Sequence, residues 1–557
     1  MIFQSIKTEK DLDKFKRRIL ADKSLYERLL DVRGQLHDPE SKLTPEGHFE
    51  PQNPHLGPKM PTNAEILALY KAMVETGEET PSPAAELVMK KFKTRSNSGV
   101  AVVSLLTKPF PCPGRCTYCP TEERMPKSYL SKEPAAARAL ANDFDPYAQV
   151  TNRLRALAMN GHETDKIEMI VIGGTWSFYH PVYQEEFLAE CFRACNNFSL
   201  PEESQTAKGA KSLADLQHDN ETAGTRIIGL SIETRPDYIT TYEIERLRKL
   251  GVTKVEIGVQ HLDDAVLKET KRDMKIATAR EATERLRNAG LKVVYHMMPN
   301  LPGSTPEHDI AMFGELFSGE DFHPDMLKMY PCMVLEGSEL FDIWKNGGFT
   351  PYTDEELLRV LVGAKKQIPK YVRIIRVIRD IPATYIQAGS KVSNLRQWLD
   401  NDMKKNNWRC KCIRCREVRG MIVDPAQFPL ARTEYRTRTG REFFLSFEEA
   451  NEGKLASFLR LRLPDNKGAE FAGGPLDVLR GAALVRELHT YGFLAPIGAT
   501  GTQSQHIGFG KQLLIEAERI AREAGYEKVA IIAGIGVREY YRKRGYALEG
   551  TYMVKYL

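Results

Sequence analysis

The sequence lacks any apolar run that approaches the roughly 18–20 residues needed to span a bilayer. Its N-terminus, MIFQSIKTEKDLDKF, carries charges where a secretory signal peptide needs an apolar core. Only nine cysteines occur among 557 residues, which excludes a small protein stapled by disulfides. Excess charge of one sign is also small, because 79 basic and 74 acidic residues leave a formal charge of +5. We therefore expect a cytoplasmic protein with reduced cysteines, in which any nucleic-acid surface consists of local basic clusters.

The composition is that of a globular protein, with 42% hydrophobic, 9% aromatic and 27% charged residues. This mixture excludes wholesale disorder, collagen and a coiled-coil rod. The chain is also too long for one compact domain. Changes in composition and hydrophobic pattern along the chain predict four regions. They are a basic helical region over 1–95, an alternating α/β domain over 96–400, a basic cysteine-containing linker over 401–424 and a second α/β domain over 425–557.

Two tight cysteine triplets stand out. The first, PCPGRCTYCP, gives Cys112, Cys116 and Cys119 the spacing C-x3-C-x2-C. In a reducing compartment, clustered thiols are more often metal ligands than disulfides. Three thiolates on one short loop can each bind one iron of a four-iron cluster, which leaves the fourth iron open to a small molecule. The alternative for this triplet is a structural zinc knuckle.

The second triplet, in WRCKCIRCREV, consists of Cys410, Cys412 and Cys415. A structural zinc ion takes four ligands. We predict zinc at this triplet, with the fourth ligand left open between a distant His or Cys and water. A second iron cluster is the alternative. The remaining cysteines are predicted to pack in the interior, as free cysteines commonly do; they are Cys191, Cys195 and Cys332.

Short apolar runs alternate with amphipathic helices from residue 98 onward. The runs IEMIVIGG, RIIGLSIET, KVEIGVQ, KVVYHMMP and DMLKMYP are typical of buried strands. The alternation predicts a parallel sheet with crossover helices, whose chemistry gathers at the C-terminal ends of the strands. The first cysteine triplet follows one such strand, and Gly173 and Gly174 follow another. The polar stretch 201–225 is predicted to be a surface insertion.

Basic residues cluster in two places, at the end of the N-terminal region and around the second cysteine triplet. Trp398 and Trp408 lie in the second cluster. Basic side chains with aromatic rings suit RNA, whose phosphates need neutralising and whose unpaired bases stack. The alternatives are a solvated helix face and a basic interdomain linker. The candidate RNA contacts are Lys90, Lys91, Lys93, Arg95, Arg373, Arg376, Arg379, Arg409, Lys411 and Arg414.

The C-terminal region contains a predicted strand, ALVRELHTYG, followed by a glycine-rich turn. Gln505, Gly508 and Gly510 form Q-x-x-G-x-G at the start of an amphipathic helix. Such a turn lets backbone N–H groups approach a pyrophosphate. With VAIIAGIGVREYYRKRGY after it, the segment resembles the acetyl-coenzyme A motif of GNAT acyltransferases. In that family a tyrosine near the last helix contacts the coenzyme, and Tyr540 and Tyr541 are the matching pair.

The first cysteine loop resembles the signature of the radical S-adenosylmethionine superfamily. The resemblance implies a 4Fe–4S cluster with S-adenosylmethionine on its open iron, and a reductant whose electron releases a 5′-deoxyadenosyl radical. Gly173-Gly174-Thr175 stands where such enzymes carry a Gly-Gly-Glu-like loop against the methionine end of the cofactor, with threonine in place of the acid.

Together with IETRPD, RDIPATYI, ELHTYG, QHIGFG and EYYRKRGY, the sequence from about residue 59 onward resembles the catalytic subunit of Elongator and its single-chain bacterial and archaeal counterparts. The family implies a partial radical-SAM barrel, a GNAT-type α/β domain and a basic helical N-terminal region. It also implies C5-carboxymethylation of uridine 34 in the tRNA anticodon stem-loop, with acetyl-coenzyme A as the carbon donor. A homodimer is possible. The acetyl group must reach the cluster, so we expect the two sites to face each other across a short gap.

The resemblance also assigns residues. Cys112, Cys116 and Cys119 hold the cluster, Lys166 lies at the acyl end of acetyl-coenzyme A, and Tyr541 makes the last coenzyme contact. The strand against the pantetheine comprises Glu487, Leu488, His489 and Thr490, and the pyrophosphate turn comprises Phe509, Gly510 and Lys511. The rival hypotheses are a protein-lysine N-acetyltransferase, which needs no cysteine cluster, and a non-enzymatic tRNA-binding scaffold.

Overall fold

The computed structural model describes residues 3–36, 60–90, 99–392, 394–419, 421, 423–451, 453–491 and 508–557. They divide into two compact units. The first consists of Met1–Ala101 and Asn152–Thr164, and the second of Val102–Thr151 and Asp165–Leu557. Among the described residues, no helix has the length and apolar character needed to cross a membrane.

The first unit contains a helical core, as the sequence predicts. Its helices are α1 (Glu9–Ala21), α2 (Lys23–Leu36), α3 (Asn63–Glu75) and α4 (Pro83–Met89). The side chain of Thr8 caps α1, and Thr62 caps α3 in the same way. The rings of Phe3 and Phe15 lie 4.7 Å apart in the core between the helices.

The second unit begins with a seven-stranded sheet in the order β1-β2-β3-β4-β5-β6-β8. Its strands are β1 (Ala101–Leu106), β2 (Lys166–Ile172), β3 (Arg226–Thr234), β4 (Lys254–Gln260), β5 (Lys292–Met297), β6 (Met326–Met329) and β8 (Arg373–Arg376). Neighbours from β2 to β8 pair in parallel, so the predicted parallel sheet is confirmed. A small antiparallel pair consists of β7 (Val334–Leu335) and β9 (Ile386–Ala388).

The crossover helices cover one face of this sheet, which curls into a half-barrel. They and their neighbours are α5 (Pro134–Leu140), α6 (Pro146–Met159), α7 (Pro181–Asn197), α8 (Leu213–Asn220), α9 (Thr241–Lys249), α10 (Asp264–Glu269), α11 (Ile276–Asn288), α12 (Pro306–Ser318), α13 (Glu339–Lys345), α14 (Asp354–Gln367), α15 (Leu395–Lys405) and α16 (Ile413–Arg416). Alternate residues of β2 are buried, while Lys166, Glu168 and Ile170 on its other face are partly open. This second face forms the lumen of the half-barrel.

The segment 201–225 is only partly the surface insertion that its polarity predicts. Residues 201–212 are exposed apart from one half-buried position, but α8 buries Leu213 and Leu216. The side-chain amide of Asn220 donates to Thr225, and its oxygen accepts from the backbone of Ile227 at 2.8 Å. These hydrogen bonds make 213–225 part of the domain, so the prediction is wrong there.

The C-terminal part is a mixed seven-stranded sheet in the order β10-β11-β12-β13-β14-β16-β15. Its elements are β10 (Leu430–Thr437), β11 (Gly440–Glu448), β12 (Leu455–Pro464), β13 (Ala482–Thr490), α17 (Phe509–Glu523), β14 (Lys528–Ile531), α18 (Arg538–Arg542), β15 (Ala547–Glu549) and β16 (Tyr552–Tyr556). Only β13 and β14 pair in parallel; the other neighbours are antiparallel.

The mixed sheet packs against the N-terminal ends of the half-barrel strands. Arg486 of β13 binds Asp325, the residue before β6. The Tyr552 hydroxyl donates to the carbonyl of Ala289, shortly before β5, at 2.8 Å. Gly534 approaches the start of β3 so closely that a Cβ there would lie 2.0 Å from the carbonyl oxygen of Ile228. We call this end of the half-barrel the N-terminal edge and the other end the C-terminal edge.

Candidate active site

The first cysteine triplet lies at the C-terminal edge of the half-barrel. The backbone of Thr107, directly after β1, donates to Ile172 at the end of β2 at 3.1 Å, so both strands end at this edge. The loop then turns back on itself. The Gly114 N–H lies 3.4 Å from the Cys112 sulfur, and the Cys119 N–H donates to the Cys116 carbonyl at 3.2 Å.

A buried arginine stabilises the thiolate form of Cys116. A hydrogen bond from Cys119 and the positive charge of Arg272 outweigh burial and lower the pKa of Cys116 to about 5. The Nη1 atom of Arg272 lies 3.6 Å from the Cys116 sulfur, and its Nη2 atom binds the Gly258 carbonyl. Because iron and other metals bind the thiolate, this donor set fits a cluster site.

The glycine pair after β2 packs directly against the cysteine loop. Gly173 has φ 137°, and a Cβ on it would lie 1.9 Å from the Thr107 hydroxyl oxygen, so only glycine fits there. The next residues bring the Thr175 hydroxyl within 3.7 Å of the Cys112 sulfur. The sequence therefore places Gly173, Gly174 and the cysteines correctly at one edge.

The lumen of the half-barrel is charged rather than apolar. Near the N-terminal edge, Lys254 of β4 binds Glu168 of β2. Burial alone would raise the pKa of Glu168, but the charges of Lys254 and Lys292 lower it to about 2. Two residues further along the strands, toward the C-terminal edge, carboxylates and a second lysine occupy the same face.

This second charged layer joins β3, β4, β5 and β6. Glu256 binds Lys328, and its carboxylate lies 2.9 Å from the His296 ring. Lys328 also donates to Glu233 at 3.1 Å, and the Tyr129 hydroxyl donates to the other oxygen of Glu233 at 2.6 Å. Since Tyr129 belongs to the segment after the cysteine loop, the charged layers extend from one edge of the lumen to the other.

The ligand atoms of Glu233, Glu256 and His296 lie within 4.8 Å of one another, as in a metal site. The Lys328 ammonium, however, already binds both carboxylates. Burial opposes ionisation of Glu256, but Lys328 and His296 outweigh it and hold its pKa well below the usual range. A cation therefore stands among these ligands already, and the geometry favours an ion-pair network over a divalent metal.

The predicted coenzyme strand, β13, extends beyond its parallel neighbour in the mixed sheet. Pairing between β13 and β14 ends at Val485 and Ile531, while β13 continues to Thr490. A bulge at Arg486 bends the strand there, because Arg460 pairs with Glu487 and Leu461 with Val485.

The glycine turn stands beside that strand. Gly508, with φ 87°, is the N-cap of the 15-residue helix α17. A Cβ on Gly510 would lie 2.8 Å from the Tyr540 hydroxyl and 3.8 Å from both Leu488 and Thr490. Phe509 stacks on Phe447 at 4.3 Å, which fixes the start of the helix. Gln505 lies outside the described residues.

The two tyrosines of VREYYRKRGY point in different directions. The hydroxyl of Tyr540 reaches the glycine turn, and its ring lies 3.5 Å from the Arg544 guanidinium. Tyr541 is buried with its ring 6.1 Å from that of Tyr546, and burial raises the pKa of its hydroxyl. His489 is half-buried, and its removal from water lowers its pKa.

Lys166 stands at the opposite edge of the sheet from the cysteines. It is the first residue of β2, pairs with Asp165 at 3.3 Å and shares the lumen face with Glu168. At a rise of about 3.3 Å per residue, the length of β2 separates it from Ile172 by about 20 Å. The nearby Lys292 lies 3.8 Å from Glu487 of β13. The mixed sheet packs on the far edge, so the lumen lies between the cysteine loop and the predicted coenzyme strand, and the short gap between the two bound ligands stays a prediction.

The second cysteine triplet is compact enough for one metal ion. The sulfurs of Cys410, Cys412 and Cys415 lie within 4.8 Å of one another, and this group contains no fourth Cys, His, Asp or Glu in the part of the chain that the structure describes. The Ile413 N–H donates to Val372, just before β8, at 2.9 Å. The Val418 N–H donates to Leu455 of β12 at 3.1 Å, so the loop joins the half-barrel to the mixed sheet.

Comparisons with known proteins agree with the assignment of the half-barrel. Residues 111–314 match the family described as the Radical SAM superfamily, and residues 324–405 match the Radical_SAM C-terminal domain. The chain is 43% identical to the tRNA uridine(34) acetyltransferase of Methanocaldococcus infernus, over 89% of this chain and 92% of the relative. It is 35% identical to human Elongator complex protein 3, over 88% and 91% of the two chains. The chain belongs to the family of these tRNA uridine(34) acetyltransferases and Elongator complex protein 3.

A solved structure supports the same assignment. The archaeal Methanocaldococcus infernus Elp3 with an N-terminal deletion is 42% identical, with a TM-score of 0.71 over 82% of this chain and 99% of that one. The family and the radical SAM domain make the chain an enzyme of the radical SAM class with acyltransferase-type relatives. The predicted fold and enzyme class are therefore confirmed.

The predicted RNA contacts differ in how far solvent reaches them. Arg373 donates to Glu417 at 2.9 Å and to the Tyr491 hydroxyl at 2.8 Å. Arg379 binds Glu133, and Arg376 pairs with Asp380 but stays half exposed. Arg373 and Arg379 are thus engaged within the protein, which leaves a smaller basic surface than the sequence predicts.

The remaining candidate RNA contacts also differ in their exposure to solvent. Arg409 and Lys411 are exposed, whereas Arg414 is partly buried. Burial lowers the pKa of Lys90, which ends α4. Lys91, Lys93 and Arg95 lie outside the described residues. RNA binding by the exposed basic residues next to the second triplet, Arg409 and Lys411, therefore stays a prediction.

Sequence motifs do not identify several residues of the site. Arg272 supports Cys116 from a loop 156 positions along the chain. Glu256, His296 and Lys328 lie in strands that the sequence presents only as apolar runs. The available signal is the pair of charged residues Lys254 and Glu256 two apart in KVEIGVQ, since alternate residues of a strand share a face.

Proposed function

We propose that this chain is a tRNA uridine(34) C5-carboxymethyl synthase that uses acetyl-coenzyme A and S-adenosylmethionine. The observation that carries the proposal is the charged lumen, which has the cysteine loop at one edge and the coenzyme strand beyond the other. An acetyltransferase alone needs neither the loop nor the lumen. The relatives' names, tRNA uridine(34) acetyltransferase and Elongator complex protein 3, support the tRNA substrate.

Cys112, Cys116 and Cys119 would hold a 4Fe–4S cluster. With S-adenosylmethionine bound, that cluster supplies a 5′-deoxyadenosyl radical, which takes hydrogen from an unactivated carbon. A hydrogen bond from Cys119 and the charge of Arg272 lower the pKa of Cys116, which favours the thiolate that iron binds. Gly173 and Gly174, which bring no side chain into the space beside the loop, leave room for the methionine end of the cofactor.

The proposed conversion joins an acetyl carbon to uridine. The acetyl methyl group loses one hydrogen atom to the deoxyadenosyl group, and its carbon bonds to C5 of uridine 34. The C5 proton and one electron then leave, which balances the electron spent on S-adenosylmethionine. Water cleaves the thioester, releasing coenzyme A and leaving a carboxymethyl group.

The chain's own residues would bind and orient the donor. The pantetheine would pair with Glu487, Leu488, His489 and Thr490, while the N–H groups of Phe509, Gly510 and Lys511 would face the pyrophosphate at the start of α17. The positive end of the helix dipole favours that anion. Lys166, at the same edge of the lumen, would provide positive charge for the thioester oxygen.

The tRNA would be held by exposed basic side chains. Arg409 and Lys411, beside the second cysteine triplet, face solvent, and Arg376 stays half exposed beside Asp380. Phosphate contacts of this kind make binding weaken as salt rises. Uridine 34 itself would leave the anticodon stack to enter the lumen, because radical chemistry needs direct contact with C5.

The proposed activity is tested with the full-length protein, reconstituted anaerobically with iron and sulfide. It is incubated with dithionite, S-adenosylmethionine, acetyl-coenzyme A and a tRNA transcript, and the nucleosides are analysed by mass spectrometry. We expect 5-carboxymethyluridine at position 34, and coenzyme A release that depends on tRNA. Labelled acetyl groups on protein lysines, with unmodified tRNA, would instead establish the protein-lysine N-acetyltransferase.

A conservative change separates the two tyrosines. Because the Tyr540 hydroxyl lies beside the glycine turn, we expect Tyr540→Phe to raise the KM for acetyl-coenzyme A about tenfold, the scale of one lost hydrogen bond. Tyr541→Phe is the matched control and should retain most activity, since Tyr541 packs in the interior. Rates are measured over a range of acetyl-coenzyme A concentrations, together with the thermal unfolding midpoint. A larger loss for Tyr541→Phe would reverse this assignment.

The second triplet is proposed to hold structural zinc. Cys412→Ser should remove a stoichiometric zinc ion and lower the thermal unfolding midpoint by several degrees, because the loop joins β8 to β12. Cys195→Ala, in the buried face of α7, is the control and should keep the zinc. Metal is measured by mass spectrometry after purification without added metals. Iron instead of zinc at stoichiometric level in a variant lacking Cys112, Cys116 and Cys119 would contradict the proposal.

A further inference from the structure

Three aromatic rings border the cysteine loop at the C-terminal edge. Phe110 stands two residues before Cys112, Phe178 follows the Gly-Gly turn, and Tyr238 follows β3. The Phe110 and Phe178 rings meet edge to face at 5.8 Å, and Phe178 and Tyr238 at 6.1 Å. We call Phe110, Phe178 and Tyr238 the aromatic ledge. Its members come from the ends of three neighbouring strands, so the sheet fixes their spacing.

The ledge is supported from below and open above. Phe110 stacks on buried Tyr179 at 4.8 Å, and Tyr179 stacks on Tyr183 at 5.3 Å. The Tyr179 hydroxyl donates to the Lys108 carbonyl at 2.8 Å, which locks this lower layer in place. Phe110 nevertheless keeps 36% of its surface exposed and Phe178 37%. Contiguous exposed apolar surface of this kind marks an interaction site more often than an accident of packing.

The charges around the ledge suit an anionic partner. Lys108 is exposed and extends over the Tyr183 ring, with its ammonium 4.6 Å from the ring centre. Across the described ranges, Lys108 has no carboxylate within ion-pair distance. Asp237, next to Tyr238, is bound by Arg235 at 2.9 Å, which neutralises the carboxylate nearest the ring. Exposed rings with an adjacent free cation are the usual combination for single-stranded nucleic acid.

We propose that the aromatic ledge stacks an unpaired anticodon base next to the target uridine. This inference rests on the proposed function and assigns the RNA subsite beside the radical site. A base flipped into the lumen loses its stacking partners, and its neighbour gains a new one on Phe110 or Phe178. The ledge therefore offsets the unstacking and holds the target over the lumen mouth.

The ledge adds stacking contacts, which the basic residues do not provide. Phosphate contacts depend on salt, whereas stacking on a ring depends little on it. Arg409 and Lys411 flank the loop that joins β8 at the N-terminal edge, while the ledge is at the C-terminal edge. The two sites would thus hold different parts of the same RNA.

The test uses an anticodon stem-loop with 2-aminopurine at the nucleotide on either side of uridine 34. Binding to the full-length reconstituted protein is followed by fluorescence at low and moderate salt. We expect stacking to quench the probe at one of the two positions. The double variant Phe110→Ala/Phe178→Ala should bind about tenfold to a hundredfold more weakly, lose the quenching and keep the salt slope of the wild type.

Matched variants keep this test decisive. Phe178→Trp preserves a ring and should retain quenching and affinity, which excludes a folding defect as the cause of the loss. Tyr556→Ala removes a ring that is more exposed, at 64%, at the end of β16, and should behave as wild type. A third readout is cleavage of S-adenosylmethionine without RNA, which should be unchanged in Phe110→Ala/Phe178→Ala.

Three results would overturn the ledge as an RNA subsite. One is unchanged affinity and quenching in Phe110→Ala/Phe178→Ala. Another is loss of RNA-independent S-adenosylmethionine cleavage, which would place the rings in the cofactor site. The third is an equal loss in Tyr556→Ala. Failure of the proposed function looks different, because then the wild-type protein itself leaves uridine 34 unmodified.

Discussion

Replacing Cys116 by alanine is expected to abolish cleavage of S-adenosylmethionine and tRNA modification, with a loss of at least about a thousandfold. The reason is that three cysteines must each bind one iron, so removing one leaves the cluster without a complete ligand set. Cys116 is also the thiol whose pKa Cys119 and Arg272 lower to about 5. The measurements are iron content, 5′-deoxyadenosine formed with dithionite, and modified nucleoside per tRNA.

The matched control for this loss is Cys191→Ala. Cys191 is equally a buried thiol of the same domain, but it lies on α7, and burial raises its pKa. We expect this variant to keep iron, S-adenosylmethionine cleavage and tRNA modification. Full tRNA modification by Cys116→Ala would contradict the radical account, and equal losses in both variants would show only that the domain tolerates no cysteine change.

The second large effect is expected at the junction between the half-barrel and the mixed sheet. Asp325 is fully buried and binds both terminal nitrogens of Arg486, and it accepts from the Val293 N–H at 2.9 Å. Removing its carboxylate in Asp325→Ala takes the closer of two carboxylates from the buried guanidinium of Arg486, whose Nε still lies 3.4 Å from Glu442. Such a change typically costs about 3–5 kcal/mol, so we expect a destabilised protein by chemical denaturation.

An exposed ion pair at the same junction provides the control. Arg436 lies 3.6 Å from Glu320 and 2.9 Å from Asp465, and half of its side chain is exposed. Arg436→Ala should cost no more than about 1 kcal/mol, because water screens such pairs. Equal unfolding free energies for Asp325→Ala and Arg436→Ala would show that the buried pair does not hold the two sheets together.

The same pair gives a pH dependence with a definite sign. Burial opposes ionisation of Asp325, but Arg486 and Arg460 outweigh it and lower its pKa. A carboxyl with a lowered native pKa contributes stability above its unfolded pKa of about 3.9 and loses it as pH falls further. Acid should therefore destabilise the wild-type protein more steeply than Asp325→Asn, which has no charge to lose.

The sequence is sufficient to predict the local elements and the chemistry of the cysteine loop. Apolar β-branched runs identify the parallel strands because both of their faces are buried against helices or a lumen. Spacing alone places three thiolates on the loop after β1, and the structure positions the Gly173 turn against it. These features depend on neighbours in the chain, where sequence patterns are informative.

The arrangement of the two sheets is not predictable in this way. Arg486 and Asp325 are separated by 161 positions, and nothing in either local pattern indicates the pair. Neither does ELHTYG or DKIEMIVIGG indicate that the mixed sheet packs at the N-terminal edge, which places Lys166 about 20 Å of strand away from the cysteines. Contacts of this kind depend on the assembled fold, and the charged lumen residues Glu256 and Lys328 belong to the same class.

The most direct test of the account follows the acetyl methyl hydrogens. The reconstituted protein is supplied with acetyl-coenzyme A carrying three deuterium atoms on the methyl carbon, and both products are weighed by mass spectrometry. The account predicts 5-carboxymethyluridine with two deuterium atoms and 5′-deoxyadenosine with one. An acetylated product that keeps all three deuterium atoms, with no deuterium in 5′-deoxyadenosine, would contradict it.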